Sequence, residues 1–251
     1  MEVLVVGNTA YVDDDFCAKA FPGDHVQVVA ADDARRDESS PHASWKELLQ
    51  HLDQAYEFDR VVYLSNYLTP HTDTVGDIEL LRSVFRACMG RRVQLLYVAG
   101  PAAAEDVVDA TGRTGKGIIA RAANDLCRHY AEREGIQAKI LRVPFLYTAS
   151  AALEDPFLAP LFDACSTGSV VLQGAQDAAF PLLCAEELAV LVHRIFDSWD
   201  AGFETLDVAA AFGHTSGNLG EALKALFPGL AVAYGESAGY ALPADDTVRV
   251  R

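Results

Sequence analysis

Short, unbroken apolar runs at residues 3–6, 26–30, 60–64, 93–98 and 138–141 alternate along this chain with stretches of helical spacing at 45–52, 74–88 and 118–133. A strand that is apolar at successive positions is buried on both faces. Such strands belong to a parallel sheet with helices on either side. The repeated strand–helix order therefore predicts an α/β fold with a doubly wound parallel sheet of Rossmann type. After Pro144 the pattern loosens, with helical spacing at 153–165, 185–196 and 219–227 and short strands at 169–172, 205–208 and 231–234. We read residues 1–150 as the Rossmann-type core. Residues 151–251 supply the remainder of the core, interleaved with a small, reduced lobe like a substrate lobe. The polar segment 32–42 reads as a surface loop.

At 251 residues, 51% hydrophobic and 22% charged, the chain can bury a sizeable core as one large domain or a domain plus a small lobe. Its formal charge of −16 repels nucleic acid phosphates and anionic lipid, which argues against both as general partners but leaves room for a local basic patch. No apolar run approaches the roughly 20 residues needed to span a bilayer, and the N-terminus lacks the features of a signal peptide. A cytoplasmic location is expected. Cys17, Cys88, Cys127, Cys165 and Cys184 are odd in number and form no Cys-x-x-Cys pair. They read as reduced thiols filling the core.

Gly7 closes the first apolar run and opens a turn that has the place of a phosphate-binding loop. A strand entering Gly-x-x-Gly-x-x-Gly lets backbone amides approach a dinucleotide pyrophosphate, whose charge then rests on the next helix's N-terminus. Here the second and third glycines are replaced by Ala10 and Asp13, and Asp14 and Asp15 follow. Carboxylates at these positions stand where phosphate oxygens would lie. They also complement the positive end of a helix dipole with no ligand at all, and this is the reading we prefer.

Several blocks in order resemble the extended short-chain dehydrogenase/reductases of the NAD-dependent epimerase/dehydratase type. They are Val3-Leu4-Val5-Val6-Gly7, Phe58-Asp59-Arg60-Val61-Val62-Tyr63-Leu64, Leu95-Leu96-Tyr97-Val98-Ala99-Gly100, Ala122-Ala123-Asn124-Asp125-Leu126 and Ile140-Leu141-Arg142-Val143-Pro144-Phe145-Leu146-Tyr147. Phe180-Pro181-Leu182-Leu183-Cys184-Ala185-Glu186-Glu187-Leu188-Ala189 and Glu204-Thr205-Leu206-Asp207-Val208 extend the resemblance through most of the chain, which is somewhat short for an extended member.

The resemblance implies a catalytic Ser, Tyr and Lys, in which the Tyr moves a proton, the Lys lowers the Tyr pKa and the Ser orients the substrate oxygen. The serine's place falls in Val98-Ala99-Gly100-Pro101, which has no hydroxyl. Alignment on Ala122-Ala123-Asn124-Asp125-Leu126 puts Lys116 in the tyrosine position and Ala120 in the lysine position. A slip of one residue offers Arg121 and Gly117, and Arg121 is a poor acid or base. Lys116 is the one candidate catalytic residue, since a desolvated lysine can act as base or nucleophile. Its setting, Gly112-Arg113-Thr114-Gly115-Lys116-Gly117, reads more simply as a solvated turn before a helix. The same stretch fails as a P-loop because Ala110 and Gly117 occupy required positions.

Gly7, Ala10, Asp32 and Ser65 are the candidate cofactor contacts. In the manner of the family, Asp32 or Asp33 would receive an adenosine ribose hydroxyl, favouring NAD over NADP. Ser65 and Asn66 follow the third strand at the sheet's carboxyl edge, where open α/β folds hold ligands, or act as turn formers. Pro144 and Tyr147 correspond to the family's loop beside the nicotinamide, with Thr148 in place of its usual glycine. The seven histidines show no metal-ligand spacing, and no Gly-x-Ser-x-Gly elbow is present.

Two functions compete. The missing triad and glycines favour a degenerate member that keeps the fold, lacks orthodox redox catalysis, has no resident cofactor and serves as a binding, regulatory or assembly protein. Overall resemblance favours an NAD- or NADP-dependent epimerase, dehydratase or reductase on a nucleotide sugar or small carbonyl compound, with an unorthodox catalytic group; a partner could also supply active residues. The resemblance implies a surface for pairing as well, since extended members often dimerise through the helices matching 74–88 and 118–133. Their broad apolar surfaces, Ile78, Leu80, Leu81, Val84, Phe85, Ile118, Ile119, Ala122, Ala123 and Leu126, fit a homodimer or protein partner, or else burial against the sheet.

Overall fold

The computed structural model describes residues 1–7, 9–30, 58–65, 74–100, 115–148, 158–172, 174–180, 182–209, 214–235 and 247–249. In chain order the elements are β1 (Glu2–Gly7), α1 (Asp14–Ala20), β2 (His25–Ala30), β3 (Arg60–Leu64), α2 (Thr74–Cys88), β4 (Gln94–Ala99), α3 (Gly115–Glu134), β5 (Gln137–Arg142) and β6 (Phe145–Tyr147). Then come α4 (Leu158–Ser166), β7 (Ser169–Leu172), β8 (Leu182–Cys184), α5 (Ala185–Asp197), β9 (Glu204–Ala209), α6 (Ser216–Leu226), β10 (Ala231–Tyr234) and β11 (Thr247–Arg249). Seven strands form one sheet in the order β2-β1-β3-β4-β5-β9-β11. Every pairing within it is parallel.

Successive strand residues face opposite sides, and both sides are covered. Leu4, Val6, Tyr63, Leu95, Tyr97 and Ile140 pack beneath α2 and α3. Val3, Val5, Val62, Leu64, Leu96 and Val98 pack beneath α1 and α5. Each buried Val or Leu contributes about 1.5–3 kcal/mol, which is why the unbroken apolar runs identify the central strands. A third, smaller core of Cys165, Val170, Leu172, Leu223 and Leu230 lies between the β7–β10 pair and the helices α4 and α6.

Polar pairs reinforce the seam where the C-terminal part joins the sheet. Lys139 of β5 is opposite Glu204 of β9, and Arg142 is opposite Asp207. Lys139 Nζ donates to Glu204 Oε2 at 2.6 Å and to Asp200 Oδ1 at 2.5 Å, while its ammonium lies 5.5 Å from the centre of the Trp199 ring. Arg142 Nη2 donates to Asp207 Oδ2 at 2.5 Å. These pairs satisfy charges that sit in an otherwise apolar ladder.

Two sequence expectations change, and one open choice narrows. Helix α3 begins at Gly115, so Lys116 lies in its first turn and not in a turn ahead of it. Cys17 and Cys184 are half-buried, whereas Cys88, Cys127 and Cys165 are core. Of the two readings left open for α2, burial against the sheet holds for Leu80, Leu81, Val84 and Phe85, which join Ala123, Cys127 and Tyr130 of α3. Phe85 and Tyr130 stack with ring centres 4.7 Å apart. The helices expected at 45–52 and across 153–157 lie outside the described residues. Among the described residues no helix is long and apolar enough to cross a membrane.

Candidate functional site

The sheet's winding reverses between β1 and β3, and in open α/β sheets the crevice at such a reversal, beyond the carboxyl ends, is where ligands bind. Gly7 ends β1 there, opposite Leu64 of β3. Its φ is +110°, and a Cβ on it would stand 2.1 Å from the Leu64 carbonyl oxygen. The approach of the two strands itself requires glycine.

The turn that follows folds back on itself. Val12 N donates to Thr9 O at 2.9 Å, Ala10 is exposed, and Tyr11 is buried in the core beneath α1 and α5. Asp13 takes the extended conformation of a helix N-cap, and its Oδ1 accepts from Phe16 N at 2.7 Å. The first turn of α1 therefore carries an internal carboxylate on the amide end that an anion would approach. Asp14 and Asp15 follow it exposed, and Lys19 Nζ donates to Asp15 at 2.5 Å.

Across the crevice, Ser65 is wholly buried. Its Oγ donates to Asp77 Oδ2 at 3.1 Å, and Tyr63 Oη donates to Asp77 Oδ1 at 2.6 Å and to the Asp77 carbonyl at 3.0 Å. Asp77 is itself 1% exposed in the first turn of α2. Burial, then the neighbouring carboxylate, pushes the Tyr63 phenol well above its ordinary value, so it stays a neutral donor. This network ties the end of β3 to the start of α2.

A third group comes from the short β6–β8 pair. Parallel register sets Tyr147 beside Cys184, which is the N-cap of α5. The Cys184 thiol donates to the Glu186 carboxylate, Tyr147 is hydrogen-bonded to the same sulfur, and Cys184 N donates to Glu187 Oε2 at 3.2 Å. Burial pushes the Cys184 thiol up, and the Glu186 hydrogen bond adds to it. Burial likewise raises Tyr147. The raised thiol and phenol make this a hydrogen-bonded cluster of donors on a carboxylate, not a thiolate nucleophile. The sequence reading missed it by placing Cys184 in the core. The available signal was Cys184-Ala185-Glu186-Glu187 at a helix start, where a Glu three residues past the cap returns to the cap amide.

The remaining candidates are scattered. Ala99 is buried at the end of β4, and Arg121 is exposed on α3. Lys116 and Ala120 lie in the first turns of α3. Asp32, Asp33 and Asn66 lie outside the described residues. Among the described residues no group of His, Cys, Asp and Glu could hold a metal ion.

No protein-family model matches the sequence, and no curated protein does. Solved structures do match in fold. A short-chain dehydrogenase/reductase superfamily protein from Agrobacterium tumefaciens with bound NAD is 13% identical, with a TM-score of 0.68 over 98% of this chain and 88% of that one. A dTDP-glucose 4,6-dehydratase from Streptomyces venezuelae with NAD bound is 12% identical, with a TM-score of 0.70 over 97% and 88%. A UDP-N-acetylglucosamine 4-epimerase from Bacillus cereus is 13% identical, with a TM-score of 0.65 over 96% and 87%. The chain has the fold of these extended enzymes, a parallel sheet flanked by helices.

Proposed function

We propose that this protein is a degenerate relative of NAD-dependent epimerases and dehydratases that has lost orthodox redox catalysis and serves as a binding, regulatory or assembly protein. One observation carries the reading: the Asp13 carboxylate already accepts the Phe16 amide at the N-terminus of α1. A pyrophosphate brought to this turn would meet that charge and those of Asp14 and Asp15 at short range, where repulsion between like charges outweighs a helix dipole effect of about 0.3–1 kcal/mol. The described residues of the turn therefore do not fit a dinucleotide. The missing hydroxyl at Ala99 and the Lys116 and Ala120 positions support the same reading on separate elements.

The second reading is an active NAD- or NADP-dependent enzyme with a non-standard catalytic group, acting on a nucleotide sugar or small carbonyl compound. The NAD-bound neighbours and the hydrogen-bonded Tyr147–Cys184–Glu186 cluster support it.

Calorimetric titration with NAD(H) and NADP(H) separates the two. Our reading expects no heat of binding at millimolar cofactor, and a micromolar Kd overturns it. Asp13→Asn keeps a capping acceptor while removing the charge, so binding gained by this variant locates the repulsion in that carboxylate.

A further inference from the structure

A cavity of about 310 Å³ lies on the α5 side of the sheet near the amino ends of β5 and β9, at the edge opposite the crevice. Leu191, Arg194 and Ile195, which share one face of α5, form a wall, and Leu206 of β9 forms the floor. Lys139, Asp200 and Glu204 line the rest. Ligand sites typically measure roughly 300–1,000 Å³, so this one has room for a small metabolite and not for a dinucleotide. Its polar groups exceed what a structural seam requires. Lys139 is 4% exposed, and apolar residues of similar volume hold such a place as well as a buried ion pair does. An ammonium has three N–H groups. Lys139 gives one to Asp200 and one to Glu204, and among the described residues the third has no acceptor. Each acid gives Lys139 a single oxygen and stays exposed, Asp200 by 78% and Glu204 by 49%, so its other oxygen is open to a further donor. Arg194 is exposed and makes no ion pair among the described residues. Its place in the last turn of α5 suits the helix dipole, but that uses none of its N–H groups.

We propose that this cavity binds a small amphiphilic zwitterion, of which a free α-amino acid with an apolar side chain is the type. Its carboxylate goes to Arg194, whose fork takes two oxygens at once, and to the remaining N–H of Lys139. Its ammonium goes to the outer oxygens of Asp200 and Glu204, and its side chain rests on Leu191, Ile195 and Leu206. The charges of the lining cancel, two cations against two acids. A ligand that carries only an anion or only a cation therefore answers one pair, meets like charge from the other and leaves it unpaired, which is how a polar site rejects an analogue lacking one group. The cavity is separate from the crevice beyond the carboxyl ends of the strands, so its occupancy does not depend on whether a dinucleotide binds.

The test is calorimetric titration of the full chain with L-phenylalanine and L-leucine, and with two analogues that each lack one end, phenylpropionate and phenylethylamine. We expect a Kd of about 0.1–1 mM for the amino acids and binding about tenfold weaker or worse for either analogue. Arg194→Gln should weaken phenylalanine about tenfold without weakening phenylethylamine, and Asp200→Asn should weaken phenylalanine without weakening phenylpropionate. Lys224→Gln, on α6, should change nothing. Ligand-free melting curves show whether each variant folds, and if a polar variant does not, Leu206→Phe, which fills the floor, is read in its place and should abolish binding. No heat at about 10 mM amino acid, an analogue that binds as tightly as the amino acid, or binding that survives both polar changes overturns the proposal. The titrations with NAD(H) and NADP(H) are separate, so a failure here leaves the reading of the crevice standing.

Discussion

Gly7→Ala distinguishes a glycine demanded by a ligand from one demanded by the backbone. The added methyl carbon would lie 2.1 Å from the Leu64 carbonyl oxygen, at a φ of +110° that side chains rarely adopt. The conformation alone costs about 1–3 kcal/mol. Relieving the overlap means moving β1 away from β3 at the end of their shared ladder, and overpacking of this kind costs a further 1–3 kcal/mol or so. Together, about 2–6 kcal/mol is a large part of the roughly 5–15 kcal/mol that holds a typical domain together. For a chain of this length each kcal/mol lowers Tm by about 2–4 °C, so a fall of roughly 4–24 °C is expected. Scanning calorimetry without any ligand, checked against urea midpoints, measures it. A variant within about 1 °C of the parent would mean that the strands do not depend on this glycine, and the backbone argument would fail.

Tyr63→Phe leaves the buried Asp77 carboxyl short of its closest donor and should cost about 1.5–3 kcal/mol; Ser65→Ala removes a longer bond and should cost about 1 kcal/mol. Urea denaturation reads both, and an unchanged midpoint for Tyr63→Phe would contradict the network. With a disulfide reagent at pH 8, Cys17 and Cys184 should react in the native protein, while Cys88, pushed up to about 12 by burial, and the raised Cys127 and Cys165 wait for unfolding. Because Cys17 and Cys184 are also raised, their rates should still be climbing above pH 9; a plateau below pH 8 would refute this. Lys139→Met should lower Tm by roughly 2–4 °C near neutral pH. Lys139 is raised above 10.5 by its bonds to Asp200 and Glu204, which outweigh desolvation, so its contribution is full below 10.5 and is lost as pH climbs through the folded value. Asp200 is lowered below 3.8 by the Lys139 hydrogen bond, so its part is present above 3.8 and fades as pH drops through the folded value. The gap between parent and variant should therefore be widest between 3.8 and 10.5, narrowing as pH falls below the first value or climbs beyond the second, and a gap independent of pH would refute the pairing.

The central strands were legible because burial on both faces leaves no polar residue to break the run, and β3 matches its expected bounds at Arg60–Leu64. Helix α2 matches too, since its stripe of Leu80, Leu81, Val84 and Phe85 has a single register that faces the sheet. Asp13 was legible as an acid at the positive end of a helix, while its place as the N-cap came only with the structure. The Tyr147–Cys184 contact was not, because it arises from the parallel pairing of two three-residue strands separated by most of the small lobe. Strand β11 escaped for a similar reason. Three residues, Thr247–Arg249, carry no periodicity, and their pairing with β9 is a tertiary fact. The breadth of apolar surface on α2 and α3 was visible but ambiguous, since a sheet and a second protein ask for the same residues. Only packing distinguishes them.

The order in which the sheet is assembled has a consequence for biosynthesis. Strand β5 emerges from the ribosome with one flank already matched to β4, but its other flank has to wait for β9, which follows only after the whole small lobe and α5 have been made. Until then Lys139 and Arg142 face open solvent along an unpaired edge. Charged side chains on such an edge are what discourages neighbouring nascent chains from adding a strand of their own. The residues that later clamp the seam thus serve first as its guards. A ribosome stalled just ahead of β9 should hold a chain soluble with Lys139 and Arg142 in place and prone to aggregate with Leu at both.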